Sequence, residues 1–209
     1  MPKKDVPIAQ LQDFLPDGVY AAVLQYLNQY KVHLTITKER KSVLGDYRHR
    51  TTEQRHRISV NGNLNKYSFL ITLLHELAHL LTFEQFGNRV QAHGKEWKAV
   101  YGQVLQQFVL TKVFPEDIEN ELLQSLKNPA ASSCAEEGLL RVLRRYDKVP
   151  DSQKLVEELA EEALFATSDG RIFQKGKKLR KRYLCKELKT GKTYLFSGLY
   201  PAHVIQITD

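Results

Sequence analysis

The sequence predicts an α+β protein with one main domain and a small antiparallel β appendage. Three observations carry this. Two runs alternate apolar and polar residues, at 31–38 and 55–60; a leucine-rich segment from Lys66 to about Phe86 repeats at three and four; and short β-like runs cluster after about Ala163. At 209 residues the chain can bury one substantial core and a satellite.

In chain order, Leu11, Leu15, Val19, Val23, Tyr26 and Leu27 recur at helical spacing, with Pro16 between the two groups, so residues 8–30 are expected as two short helices or one kinked helix. "KVHLTITK" sets Val32, Leu34 and Ile36 against His33, Thr35 and Thr37, and "RHRISV" sets His56, Ile58 and Val60 against Arg55, Arg57 and Ser59. Both read as half-buried strands, with "KSVLGDYRHR" as a possible partner between them. The strand at 55–60 is the expected edge on which an extended peptide pairs its backbone. Asn65 is a candidate N-cap for the long leucine-rich helix, which Gly87 and Asn88 interrupt. A second helix then carries the stripe Trp97, Val100, Tyr101, Val104, Leu105 and Phe108.

Residues 117–147 look like two surface helices, the second with Leu139, Leu140 and Leu143 inward and Arg141, Arg144 and Arg145 outward. From about Ala163, "ALFAT", "RIFQ", "KRYLCKEL", "TYLFS" and "HVIQI" are short strands separated by Asp169-Gly170, Lys175-Gly176 and Gly191. The expected division is a main domain over 1–112, a helical connector over 113–160 and a basic β-subdomain over 161–209.

Thirty-one Lys and Arg against 24 Asp and Glu leave a net charge of +7, compatible with an acidic partner such as nucleic acid and equally with simple solubility. The opening "MPKKDVPIAQ" has no apolar run after its basic residues, and no stretch approaches the ~20 apolar residues of a membrane span, so a cytoplasmic protein with no membrane partner is expected. Cys134 and Cys185, with 50 residues between them, offer neither a disulfide framework nor a CxxC metal knuckle.

The chemistry-bearing stretch is "LLHELAHLLTFEQFGNRVQAHGKEW". His75 and His79 are four apart and share a helix face, so both can aim a ring nitrogen at one point, with Glu76 beside it to take a proton from water. The plain alternative is a pair of satisfied core histidines with Glu76 on a solvated face. Burying two imidazoles and a carboxylate in a leucine-rich face without strong partners costs several kcal/mol, and a metal relieves that cost. A catalytic zinc needs a third ligand and an open position. Thr82 and Gln85 stand where the metzincin pattern needs Gly and His, which excludes that version. Glu84, His93 and Glu96 are the downstream candidates. Glu84 projects away from the pair; His93 is favoured because imidazole suits zinc, while Glu96, one turn later, stays open as a ligand or a supporting acceptor.

"HELAH", followed after thirteen residues by "HGKEW", resembles the SprT-like zinc metalloproteases. The resemblance covers roughly residues 8–110 and is specific at His75, Glu76, His79, His93 and Gly94. It implies a zincin-type α+β domain with a small sheet on an active-site helix pair, one zinc on His75, His79 and His93, Glu76 as general base, and protein substrates bound to or crosslinked on DNA. Many relatives carry a four-cysteine zinc ribbon after this domain; the cysteines here cannot make one.

Between Arg171 and Lys192 ten basic residues face one acidic residue, Glu187. Lys177, Lys178, Arg180, Lys181 and Arg182 are the candidate nucleic-acid contacts, with Phe173, Tyr183, Tyr194 and Phe196 as a stacking surface for single-stranded DNA. The same pattern fits a hairpin with a solvated basic face and its aromatics in a small core. Two other classes compete with a peptidase: a DNA-binding protein with a structural zinc, and an interaction module without metal. Dependence on Glu76 separates the first and metal content the second.

Overall fold

The computed structural model describes residues 8–40, 42–126, 134, 136–150 and 152–205. Residues 127–133 of the expected helical connector and 206–207 of the last expected strand lie outside them. The chain divides into two compact units, Met1–Asp147 and Lys148–Asp209.

The first unit opens with a 3-10 turn at Ile8–Phe14 and helix α1 at Tyr20–Gln29, so the segment around Pro16 does separate two helical pieces. A three-stranded sheet follows, made of β1 (His33–Thr37), β2 (Gly45–Arg48) and β3 (Arg57–Asn61) in the order β1-β3-β2. β1 runs parallel to β3, and β2 runs antiparallel to it. β3, expected as the edge, is therefore the central strand: both of its backbone sides are occupied, and Ile58 and Val60 are 1% and 0% exposed. The free edge on this side is β2.

Helix α2 (Lys66–Phe86) runs through the middle of this unit. Asn65 caps it, its side chain accepting from the Ser68 N–H at 2.9 Å. Phe69, Leu70, Ile71, Leu73, Leu74, Leu77, Ala78 and Leu80 are all fully buried, as expected of a helix apolar on nearly every side and packed on every side. Helix α3 (Lys95–Leu110) lies against α2 through the predicted stripe. The turn between them ends α2 at Gly87, whose φ of +63° suits glycine.

Helices α4 (Glu116–Ser125) and α5 (Glu137–Arg144) complete this unit. Ile118, Leu122, Leu139 and Leu143 join the same core as α2 and α3, so this part of the expected connector is integral to the main domain. Leu140 was expected inward but is 39% exposed, and Val142 is buried instead, because 139, 142 and 143 share a face and 140 is turned a quarter-circle from it.

The second unit is a six-stranded antiparallel sheet of β4 (Gln153–Leu155), β5 (Leu164–Ala166), β6 (Ile172–Leu179), β7 (Arg182–Glu187), β8 (Thr193–Ser197) and β9 (Pro201–Val204), ordered β4-β9-β5-β6-β7-β8. Its core is Val156, Leu159, Phe165, Phe173, Cys185 and Ala202. β4 pairs with β9, so residues 153–160 of the expected connector also belong elsewhere, and the boundary falls near 147 rather than at 112 and 160. Among the described residues no helix is long and apolar enough to cross a membrane.

Candidate metal centre

One turn of α2 presents His75 and His79, and the bend after Gly87 returns the chain so that His93 faces them. His93 sits at φ +60°, a left-handed conformation that costs a non-glycine residue on the order of 1–2 kcal/mol. Gly94 follows as the N-cap of α3, its N–H donating to the Gln91 carbonyl at 3.0 Å. A Cβ on Gly94 would lie 3.0 Å from that same oxygen, so a larger residue there would have to push the return outward by a few tenths of an ångström.

The three imidazoles meet through Nε2. His79 and His93 Nε2 are 2.9 Å apart, and His93 and His75 Nε2 are 3.2 Å apart. Tetrahedral zinc with bonds of 2.0–2.1 Å needs nitrogens about 3.3 Å apart, so the residues fit this ion with little adjustment. Among the described residues this trio is the one group of metal-ligating types whose donor atoms lie within 4.8 Å of one another. Glu84, by contrast, accepts from Arg50 Nε at 3.1 Å and lies 3.3 Å from His56 Nε2. Glu96 is not part of the cluster either; its carboxylate is 3.8 Å from Lys95 Nζ.

Electrostatics keep the three rings neutral, as ligands must be. Burial lowers the His75 pKa to about 3, with repulsion from His79 and His93 adding to it, and lowers His79 to about 4, with His93 adding. Burial lowers His93 as well. Glu76, 5% exposed, is pushed up to about 8 by burial and by Asp46, against the pull of Arg40.

Sequence reasoning placed Trp97 in the core stripe and at the end of the HGKEW motif without giving it a role at the site, but its ring lies 4.7, 5.2 and 4.7 Å from the rings of His75, His79 and His93. Tyr101 stacks behind it at 5.0 Å. On the opposite side Tyr47 of β2 lies parallel to His79 at 6.3 Å, its hydroxyl 2.9 Å from His56 Nδ1. Burial lowers the His56 pKa, and the Glu84 carboxylate, which can only accept, places the ring proton on Nε2; Nδ1 is then left to accept from the Tyr47 hydroxyl. The only sequence signal for Trp97 was its place four residues after His93, and nothing local marked Tyr47.

The candidate nucleic-acid contacts Lys177, Lys178, Arg180, Lys181 and Arg182 are all exposed on the β6–β7 hairpin. Lys175 is not: it is 6% exposed, donates to the Leu159 carbonyl and lies 4.5 Å from the Tyr183 ring. Arg171 is paired with Asp169 at 2.8 Å. Phe173 is fully buried, and Tyr183, Tyr194 and Phe196 pack half-buried on the same core, so these aromatics serve the interior of the unit first.

Residues 18–120 match the family described as SprT-like. The chain is similar to Protein SprT of Proteus mirabilis, 41% identical over 86 residues that cover 41% of this chain and 48% of that one. It is also similar to Protein SprT of Yersinia pseudotuberculosis, 54% identical over 43 residues (20% and 25%), and of Glaesserella parasuis, 64% identical over 31 residues (15% and 19%). The chain thus spans less than half the length of these curated relatives. No solved structure matches.

Proposed function

We propose that this protein, whose residues 18–120 match the SprT-like family, is a zinc-dependent endopeptidase of the zincin type, acting on proteins associated with or crosslinked to DNA. The observation that carries the reading is the meeting of three neutral imidazole Nε2 atoms beside a buried carboxylate on the same helix. His75, His79 and His93 would hold the metal. Zinc bound there supplies Lewis acidity, polarising a peptide carbonyl and acidifying water.

Glu76 accepts the proton of the attacking water and passes it to the amine as the C–N bond breaks, so no covalent acyl intermediate forms. Burial makes the Glu76 carboxylate a stronger base than an exposed one, and the charge of a bound zinc would favour the ionised form that accepts the proton. The extended substrate pairs along β2, which has a free side, and not along β3, which has none. Backbone pairing of this kind reads little sequence. The exposed cations of the β6–β7 hairpin support DNA as the agent that brings substrates close.

The test is hydrolysis of casein and of a DNA-binding protein, each with and without single-stranded DNA. Glu76→Gln should keep one zinc per chain and lose about 10²–10⁴ in turnover, the usual weight of a general base. His93→Ala should weaken zinc by more than about 100-fold, while Glu96→Ala stays within about tenfold. Wild-type protein that binds zinc and single-stranded DNA but hydrolyses neither substrate would move it to the structural-zinc class, hydrolysis unchanged in Glu76→Gln would remove Glu76 as the base, and equal zinc losses at 93 and 96 would give Glu96 the third-ligand role.

A further inference from the structure

We propose that Gly45, fastened by a clamp between Arg40 and Asn61, is a positioning residue that sets where the Glu76 carboxylate sits; this rests on the reading of Glu76 as the general base. Gly45 opens β2 and shares with Tyr47 the strand face turned to α2. A Cβ at Gly45 would lie 2.5 Å from Glu76 Oε1, 2.9 Å from Glu76 Cγ and 2.8 Å from Thr72 Cγ2. Gly45 does not adopt a positive φ, so its backbone would accept other residues. What the position requires is empty space, and the carboxylate fills it.

The strand is held at this distance by hydrogen bonds made just before it and at the end of β3. Arg40 Nε donates to Asn61 Oδ1 at 2.8 Å, and its Nη1 donates to Ser59 Oγ at 3.0 Å. Asn61, 1% exposed, returns its Nδ2 to the carbonyls of Arg40 and Val43 at 3.1 and 3.0 Å, and its backbone N–H to Leu44 at 2.9 Å. Those bonds tie the chain just before Gly45 to the end of β3. β2 is four residues long with one strand neighbour, so the clamp adds to the β3 pairing and the Tyr47 packing in fixing its approach to α2. The edge strand therefore closes on the Glu76 carboxylate at Gly45 and limits where it can sit.

The nearest atom to the added Cβ is the far end of the Glu76 side chain, so Gly45→Ala should displace the carboxylate; Thr72 Cγ2 and Glu76 Cγ are also closer than 3.0 Å, so the variant should lose stability as well. In the full chain, it should still fold cooperatively and keep one zinc. Its kcat on casein should fall about 100-fold with KM unchanged within about twofold, and adding Glu76→Gln should cost no more than that substitution alone. Thr72→Ser in the Gly45→Ala background removes the other crowded atom, the Thr72 methyl; it should not restore kcat, and restoration would mean that packing, not the carboxylate, is what Gly45 serves. Should Gly45→Ala fail to fold, Arg40→Lys keeps the charge that acts on Glu76 but loses the fork to Asn61 and Ser59, and should lower kcat with zinc retained. A kcat within threefold of wild type in either folded variant overturns the proposal. A crystal structure of Gly45→Ala should show the Glu76 carboxylate rotated away; an unmoved carboxylate also overturns it. Wild-type protein that binds zinc but hydrolyses nothing defeats the protease reading instead, and the carboxylate's position in that crystal still decides the role of Gly45.

Discussion

His75 and His79 are protonated in the folded chain only far below an ordinary imidazole, at about 3 and about 4, because burial penalises the cation and neighbouring rings repel it. A depressed folded pKa contributes stability that is present above the unfolded value of 6.5 and is lost as pH falls through the folded one. Glu76 works the other way: its raised pKa contributes stability below 4.5 that is lost as pH rises through about 8. The clean measurement is therefore urea unfolding of metal-free Glu76→Gln protein compared with a His75→Ala, His79→Ala version of it. The version with histidines should lose more stability between pH 6.5 and 4, and its zinc affinity should fall over the same range. Parallel pH profiles for the two would show that the histidines are not the cause. At this scale His75, Glu76 and His79 were legible because helical spacing alone puts them on one face. Tyr47, His56 and Gly45 were not, because they reach the site by strand pairing and helix packing that no local pattern encodes.

Among the elements, α2 carries both the core and the site, and its start is a measurable joint. Asn65 caps the helix and also donates to the Leu143 carbonyl at 3.1 Å and to Asp147 Oδ1 at 2.6 Å. Asn65→Ala should thus cost about 1–2 kcal/mol in urea unfolding, the cap plus the tie to the end of α5. A loss within a few tenths of a kcal/mol would mean that water replaces both. The two long helices were readable because their apolar periodicity runs over many turns. The sheet was readable in its strands but not in its order: Ile58 and Val60 announce a buried face, yet alternation says nothing of how many neighbours a strand has, and the parallel partner β1 lies far back in the chain. β4 is three residues long, too short for any periodicity to declare it.

For the whole molecule, the division near residue 147 changes where the chain should be cut to test the basic unit. Ending it after 160 would leave β4 without β9, exposing Leu155 and Val156, whereas ending it after 147 keeps the first core whole. That truncation should retain zinc and basal cleavage of casein and lose any stimulation by single-stranded DNA. Changing Lys177, Lys178, Arg180 and Lys181 to Gln should reproduce most of the loss and flatten the salt dependence by about 0.7 in slope for each phosphate contact removed. Stimulation that survives both changes would place the DNA contact elsewhere, with Arg48, Arg50, Arg55 and Arg57 near the sheet as the next candidates. The small core beneath the hairpin has one more consequence. It is built from a few residues, Phe165 and Phe173 largest among them, and a unit that small buries proportionally less surface than the first. Warming should therefore melt the basic unit first, and over that interval of temperature the protein in the proposed reading would be an unaddressed protease, still able to cut but no longer told where.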